Sequence, residues 1–167
     1  MADTLWTPWR MDYILGPKPD GCVFCTALEQ GEKSHEKNLI LYTTEHSFVM
    51  MNRFPYTHAH LMILPKRHIS KLDDLGKEEC RELFDLVVKA QSALIRALNP
   101  QGLNMGLNQG EAAGAGIKDH LHIHIVPRWN GDTNFMPMLA ETRTMPEHLS
   151  ETYRTLRGHF DAIDESK

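Results

Sequence analysis

Cysteine is scarce in this chain, three in 167 residues, and an odd count excludes the fully paired disulfide framework that staples small secreted domains. Long apolar runs are missing too. No stretch approaches the roughly 18 apolar residues of a membrane span, and the start Met1-Ala-Asp-Thr4 has no basic segment leading into an apolar one. The expectation is a cytoplasmic protein with no membrane partner. Positive charge is not in excess: 18 Lys and Arg against 22 Asp and Glu give a net charge of −4. That excludes the broad basic surface of a non-specific nucleic-acid binder and leaves a small phosphorylated molecule as a candidate ligand. Repeats and low-complexity linkers are absent as well, so a single domain is expected over residues 22–167, with its core in 22–130 and a C-terminal extension over 131–167. Residues 1–21 read as an N-terminal arm. Pro8, Gly16, Pro17, Pro19 and Gly21 prevent a long helix there, while Trp6, Trp9 and Tyr13 supply large apolar rings.

The chain is rich instead in histidine, with ten residues, the side chain best suited to metal binding and to nucleophilic or acid/base work near neutral pH. Their setting follows from the element pattern. Cys25 to Gln30 has room for a short helix closed by Gly31. Leu39 to Thr43 and Ser47 to Met51 read as a hairpin turning at Thr44-Glu45-His46, and His60 to Leu64 as a strand stopped by Pro65. Asp73 or Asp74 can cap a long helix in which Leu83, Phe84, Val87, Val88, Leu94, Ile95 and Leu98 recur at helical spacing up to Asn99-Pro100. Gly102 to Leu107 and His120 to Val126 give two more strands, and a last helix should run from about Pro146 to Gly158. Short connections favour antiparallel pairing, so the fold class is α+β.

In His120-Leu121-His122-Ile123-His124-Ile125-Val126 polar and apolar residues alternate. On a strand the three imidazoles share one face, about 7 Å apart. A neutral imidazole can attack phosphorus and later depart, splitting one hard displacement into two easier ones. His122, with an imidazole on each side, is the candidate nucleophile. Upstream, Gly110, Gly114 and Gly116 let backbone N–H groups converge on an anion. Asn108 and Asn104, on the adjoining strand, could hold a phosphate oxygen or the leaving group. Arg128 and Trp129 follow the histidine strand, where a base could stack or a distal phosphate pair. Cys22-Val-Phe-Cys25 has the C-x₂-C spacing that puts two thiolates on one metal; a buried thiol pair and a redox dithiol are the alternatives.

The H-φ-H-φ-H-φ-φ run resembles the signature of the histidine triad family of nucleotide hydrolases and transferases. Phe48-Val-Met-Met-Asn52, His60-Leu-Met-Ile-Leu-Pro65, Gly102-Leu-Asn-Met-Gly-Leu-Asn108 and Gly114-Ala-Gly116 fall in the family's order, so the resemblance covers roughly residues 22–130. Leu5-Trp-Thr-Pro-Trp-Arg10, Pro127-Arg-Trp-Asn-Gly-Asp-Thr-Asn-Phe135 and the five residues between Gly114 and His120 are similar to the family's bacterial diadenosine tetraphosphate phosphorylase-like branch. One departure is Gly116, where that branch has a phosphate-holding serine; it leaves phosphorolysis against hydrolysis open.

The resemblance implies a five-stranded antiparallel sheet with one long helix, a short N-terminal helix and a C-terminal helix, in a homodimer. It implies that His122 attacks the α-phosphorus of an adenine nucleotide conjugate such as a dinucleoside polyphosphate, with His120 and His124 completing the catalytic set. The α-phosphate would lie near His124, Asn108 and the Gly114, Ala115 and Gly116 amides, the purine against Phe48 and the ribose near Asn52. Zinc would bind Cys22, Cys25, His68 and His120 in a structural site, and no organic cofactor is expected. Adenosine phosphoramidate hydrolysis, a non-catalytic nucleotide-binding module and a zinc-dependent hydrolase are the competing readings.

Overall fold

The computed structural model describes residues 21–55, 57–132 and 147–165. The expected arm over 1–21, apart from Gly21, and the 133–146 part of the C-terminal extension lie outside the described residues. The elements run α1 (Val23–Glu29), α2 (His35–Asn38), β1 (Ile40–Thr43), β2 (Ser47–Met51), β3 (Leu61–Pro65), α3 (Lys77–Leu98), β4 (Gly102–Leu107), β5 (Ile123–Arg128) and α4 (Leu149–Glu165), with three short 3₁₀ turns between them. The strands form one sheet in the order β1-β2-β3-β5-β4, and every neighbouring pair is antiparallel. This is the α+β architecture that the element pattern and the family resemblance imply.

Period-two alternation divides the side chains between two cores. Val49, Met51, Leu61, Ile63, Ile123 and Ile125 face α3 and α4, whose buried stripes Leu83, Leu86, Val87, Ala90, Ala93, Leu94 and Tyr153, Leu156, Phe160, Ile163 recur at helical spacing. Phe48, Met50, Met62 and Leu64 face the other way and pack with Ile40, Phe24 and Ala27 under α1. The sheet edges differ. Tyr153 and Arg157 of α4 donate to the carbonyls of Ile40 and Leu41 on β1, whereas β4 pairs only with β5 among the described residues.

The boundaries of α3, α4 and β5 depart from the sequence expectation by more than two residues. Helix α3 starts at Lys77, not at Asp73 or Asp74, because Leu75 is extended (φ −75°, ψ 134°); the Glu79 carboxylate caps the Gly76 N–H at 2.8 Å. Phe84, Val88 and Ile95 are not core residues: they lie on the outer flank of α3, 55%, 62% and 44% exposed. Helix α4 continues through Gly158 to Glu165 because Phe160 and Ile163 extend its buried stripe, and its start at Leu149 is three residues past Pro146. Finally, β5 begins at Ile123 rather than His120, since ladder pairing with both neighbours starts there, and it runs through Pro127 to Arg128.

Candidate active site

The later start of β5 reshapes the histidine cluster. His124 is on the strand, paired with Met62 on one side and Gly106 on the other. His120 and His122 precede it, in a segment tied to the body by the Leu121 N–H bond to the Ile69 carbonyl, 2.6 Å. The His122 and His124 rings therefore stand 4.7 Å apart and nearly perpendicular, closer than the 7 Å of a regular strand. Phe24 of α1 contacts both His120 and His122, with 5.5 Å between ring centroids in each case. His120, His122, His124 and His60 are all buried.

Each ring nitrogen has a role fixed by its partner. A carbonyl oxygen only accepts, so His122 donates Nδ1–H to the His120 carbonyl at 2.7 Å, and its Nε2 carries the lone pair. His120 donates Nε2–H to the Pro65 carbonyl at 2.9 Å, which turns the Nδ1 lone pair toward Cys22 Sγ (3.3 Å) and Cys25 Sγ (3.5 Å). The third chain starts at Phe54, whose N–H binds Asn52 Oδ1 at 2.9 Å. That leaves the Asn52 amide nitrogen facing His60 Nδ1 at 3.3 Å. His60 then donates Nε2–H to His124 Nδ1 at 2.8 Å, and Nε2 is the protonated nitrogen of His124.

Burial keeps these rings neutral. Desolvation is the main cause at each: His60 is pushed down to about 3, aided by His124 and His122, and His124 to about 4, aided by His122. His122 is also lowered by burial, against the opposing bond to the His120 carbonyl. At neutral pH the site therefore offers unprotonated imidazole nitrogen rather than imidazolium, as a nucleophile requires.

In the loop between β4 and β5, Gly110 (φ 84°) and Gly114 (φ 78°) bracket a turn at Glu111–Ala113 in conformations that suit glycine. Ile117 packs against the core under α1, anchoring the loop that carries Ala115 and Gly116. Asn108 sits half-buried between β4 and this loop. Phe48 is fully enclosed in the core under α1. Asn52 is engaged by His60 and Phe54. Arg128 is gripped by Asp132 through two bonds (2.6 and 2.8 Å) and donates to Asn104 at 2.8 Å, so a distal phosphate would have to displace Asp132. From the sequence, His60 flanks the third strand, either approaching the site or serving as a satisfied strand-end histidine; the structure puts its ring against His124. Its neighbourhood with His124 depends on the β3–β5 register, which no local pattern encodes.

Cys22, Cys25, His68 and His120 bring four ligand atoms within 4.8 Å of one another. The residues fit zinc: two sulfurs and two imidazoles are a common structural donor set, and tetrahedral bonds of 2.0–2.3 Å give edges of about 3.3–3.8 Å, comparable to the S···N distances here. The His120 tautomer already points Nδ1 inward, and Cys25 lies 3.5 Å from His68 Nδ1. Burial, then the Cys22 thiol beside it, raise Cys25 to about 11, so its proton stays on until a cation displaces it.

A family model described as the HIT domain matches residues 33–131. The chain is 35% identical over 158 residues to the AP-4-A phosphorylase of Mycobacterium tuberculosis, spanning 91% of this chain and 81% of that one. It is also 35% identical over 89 residues to the bis(5'-adenosyl)-triphosphatase of Dictyostelium discoideum, spanning 53% of this chain and 59% of that one. Among solved structures, a Zn-bound histidine triad family protein from Mycobacterium smegmatis superposes with a TM-score of 0.70 at 27% identity, covering 88% of this chain and 98% of that one.

Proposed function

This chain belongs to the HIT family, and from that premise we propose that it cleaves the α-phosphate linkage of adenine nucleotide conjugates, dinucleoside polyphosphates such as diadenosine tetraphosphate foremost. The observation that carries the reading is the His122 Nδ1–H bond to the His120 carbonyl, which leaves the opposite nitrogen as the nucleophile. His122 Nε2 attacks the α-phosphorus, the bond to the bridging oxygen breaks, and the remaining phosphate chain departs with that electron pair. The resulting nucleotidyl-imidazole is cationic, and the His120 carbonyl, already accepting Nδ1–H, stabilises it. Water or inorganic phosphate then displaces the imidazole. The His124 Nε2–H and the amides of Asn108 and of the Gly114, Ala115 and Gly116 stretch would hold the α-phosphate oxygens, with Asn52 toward the ribose.

Zinc on Cys22, Cys25, His68 and His120 would neutralise two thiolates and, with four protein ligands, offer water no position. The partner inferred is a second copy of the chain, forming a homodimer. Phe84, Val88 and Ile95 on α3 and Met105 on the open edge strand β4 are large exposed apolar side chains that support it.

The test is His122→Asn, which should keep nucleotide binding and abolish turnover; substantial residual kcat refutes the role. Product analysis with and without inorganic phosphate separates the second acceptors, since only phosphorolysis yields ADP from diadenosine tetraphosphate in a phosphate-dependent way.

A further inference from the structure

His120 is shared between two clusters. Its ring faces the sulfurs of Cys22 and Cys25, while its backbone carbonyl accepts the proton that sets the His122 tautomer. The segment holding both histidines lies before the first ladder pair of β5, at Ile123, so strand pairing does not hold it. Its backbone anchor, the Leu121 N–H bond to the Ile69 carbonyl, adjoins His68, another member of the cluster. The opposite wall has the same dependence. Helix α1 is seven residues long and its N-cap, Cys22, makes no side-chain capping bond; a helix this short is marginal on its own. It carries Phe24, 3% exposed, between the two cysteines, and Phe24 lies against the rings of both His120 and His122.

Resting on the reading of His122 as the nucleophile, we propose that the Cys22/Cys25/His68/His120 cluster orients the His122 ring through the His120 carbonyl and the Phe24 side chain, so that a divalent metal on the cluster controls presentation of the reactive nitrogen. Phe24 is thereby a positioning residue. With the metal in place, α1 and the 120–122 segment are tied to one point and His122 is confined between them. With the cluster empty, both walls move independently and the ring can exchange tautomers, while the two-layer core remains formed.

The test needs no nucleotide. Full-length chain labelled with ¹⁵N-histidine is stripped by a chelator and reloaded with Zn²⁺, metal content is measured, and the His122 ring nitrogens are followed by NMR. The loaded chain should show one His122 tautomer, protonated at Nδ1. The stripped chain should show both tautomers, with Nδ1–H exchange faster by about tenfold or more, as for a locally opened site, and an unchanged far-UV spectrum. Phe24→Leu with zinc still bound should give intermediate exchange. Identical His122 signals in the loaded and stripped chain overturn the proposal. So does failure to bind Zn²⁺, or global unfolding on stripping, which would make the metal a requirement for folding alone; wild-type exchange in zinc-loaded Phe24→Leu removes the Phe24 limb. Failure of the nucleophile reading would show separately, as turnover by His122→Asn with these spectra intact.

Discussion

The two faces of this sheet are built from alternate residues of the same strands, yet they hold different chemistry. Toward α3 and α4 the packed cluster is apolar, with Leu61, Ile63, Ile123 and Ile125 meeting Leu83, Leu94, Leu156 and Phe160. Toward α1, one residue out of phase, the sheet buries His124 beside His60 and, just before β5, His120 and His122. The comparison teaches that a small domain can bury imidazoles when each has a hydrogen-bonding partner and the opposite face supplies the cohesion. On the proposed function, reactivity lies in one face and most of the apolar packing in the other, and substitutions should separate them.

The largest effect should come from the reactive face. His122→Asn should lower kcat by about 10⁴-fold or more, roughly 5.5 kcal/mol of transition-state stabilisation, with little change in melting temperature. On the opposite face Phe160→Ala should remove about 3–5 kcal/mol of stability by urea unfolding, while kcat per folded molecule stays near wild type. If Phe160→Ala abolishes kcat in fully folded protein, the separation of faces is wrong.

Next comes the bond between His60 and His124. His60→Leu removes the donor to His124 Nδ1 and should cost about 2 kcal/mol, roughly 30-fold in kcat. His60→Gln, which keeps an N–H donor, should recover part of that loss; equal kcat values for the two variants would contradict the assigned direction of the bond.

Acid provides a graded test. His60 and His124 are lowered in the fold to about 3 and about 4, so between those values and the ordinary 6.5 the unfolded chain binds more protons. Stability should therefore be complete above about pH 6.5 and fall as pH drops, by up to about 1.4 kcal/mol per unit for each ring. His60→Leu should flatten this slope in denaturation curves taken at pH 7 and pH 5. The smallest effect on folding is expected for Phe84→Ser with Val88→Ser, within about 0.5 kcal/mol per exposed site, yet sedimentation should show the proposed homodimer weakened. An unaltered dimer would exclude this flank as its interface.

How much of this was readable in the sequence depends on how local the signal is. The strands showed because Phe48 to Met51 and Leu61 to Leu64 are apolar runs between turn residues, and α3 because its apolar positions recur at helical spacing. The metal cluster was legible through the C-x₂-C pair and the family resemblance, which together named His68 and His120. The exposure of Phe84 and Val88 was not legible, because a helix can carry an apolar flank for a surface other than its own core. The sequence left open whether His60 reaches the site, and gave no sign of Phe24 beside the histidines, because these contacts arise from register and from the way α1 crosses the site. The early histidines read as strand residues since alternation continues through His120, although pairing begins at Ile123.

The most direct measurement is intact-mass analysis of the protein quenched in acid-free denaturant during turnover of diadenosine tetraphosphate, followed by peptide mapping. The account predicts a chain heavier by one adenylyl group, attached to Nε2 of His122 and absent from His122→Asn. Steady turnover with no adduct on that ring, or an adduct on any other residue, would contradict it.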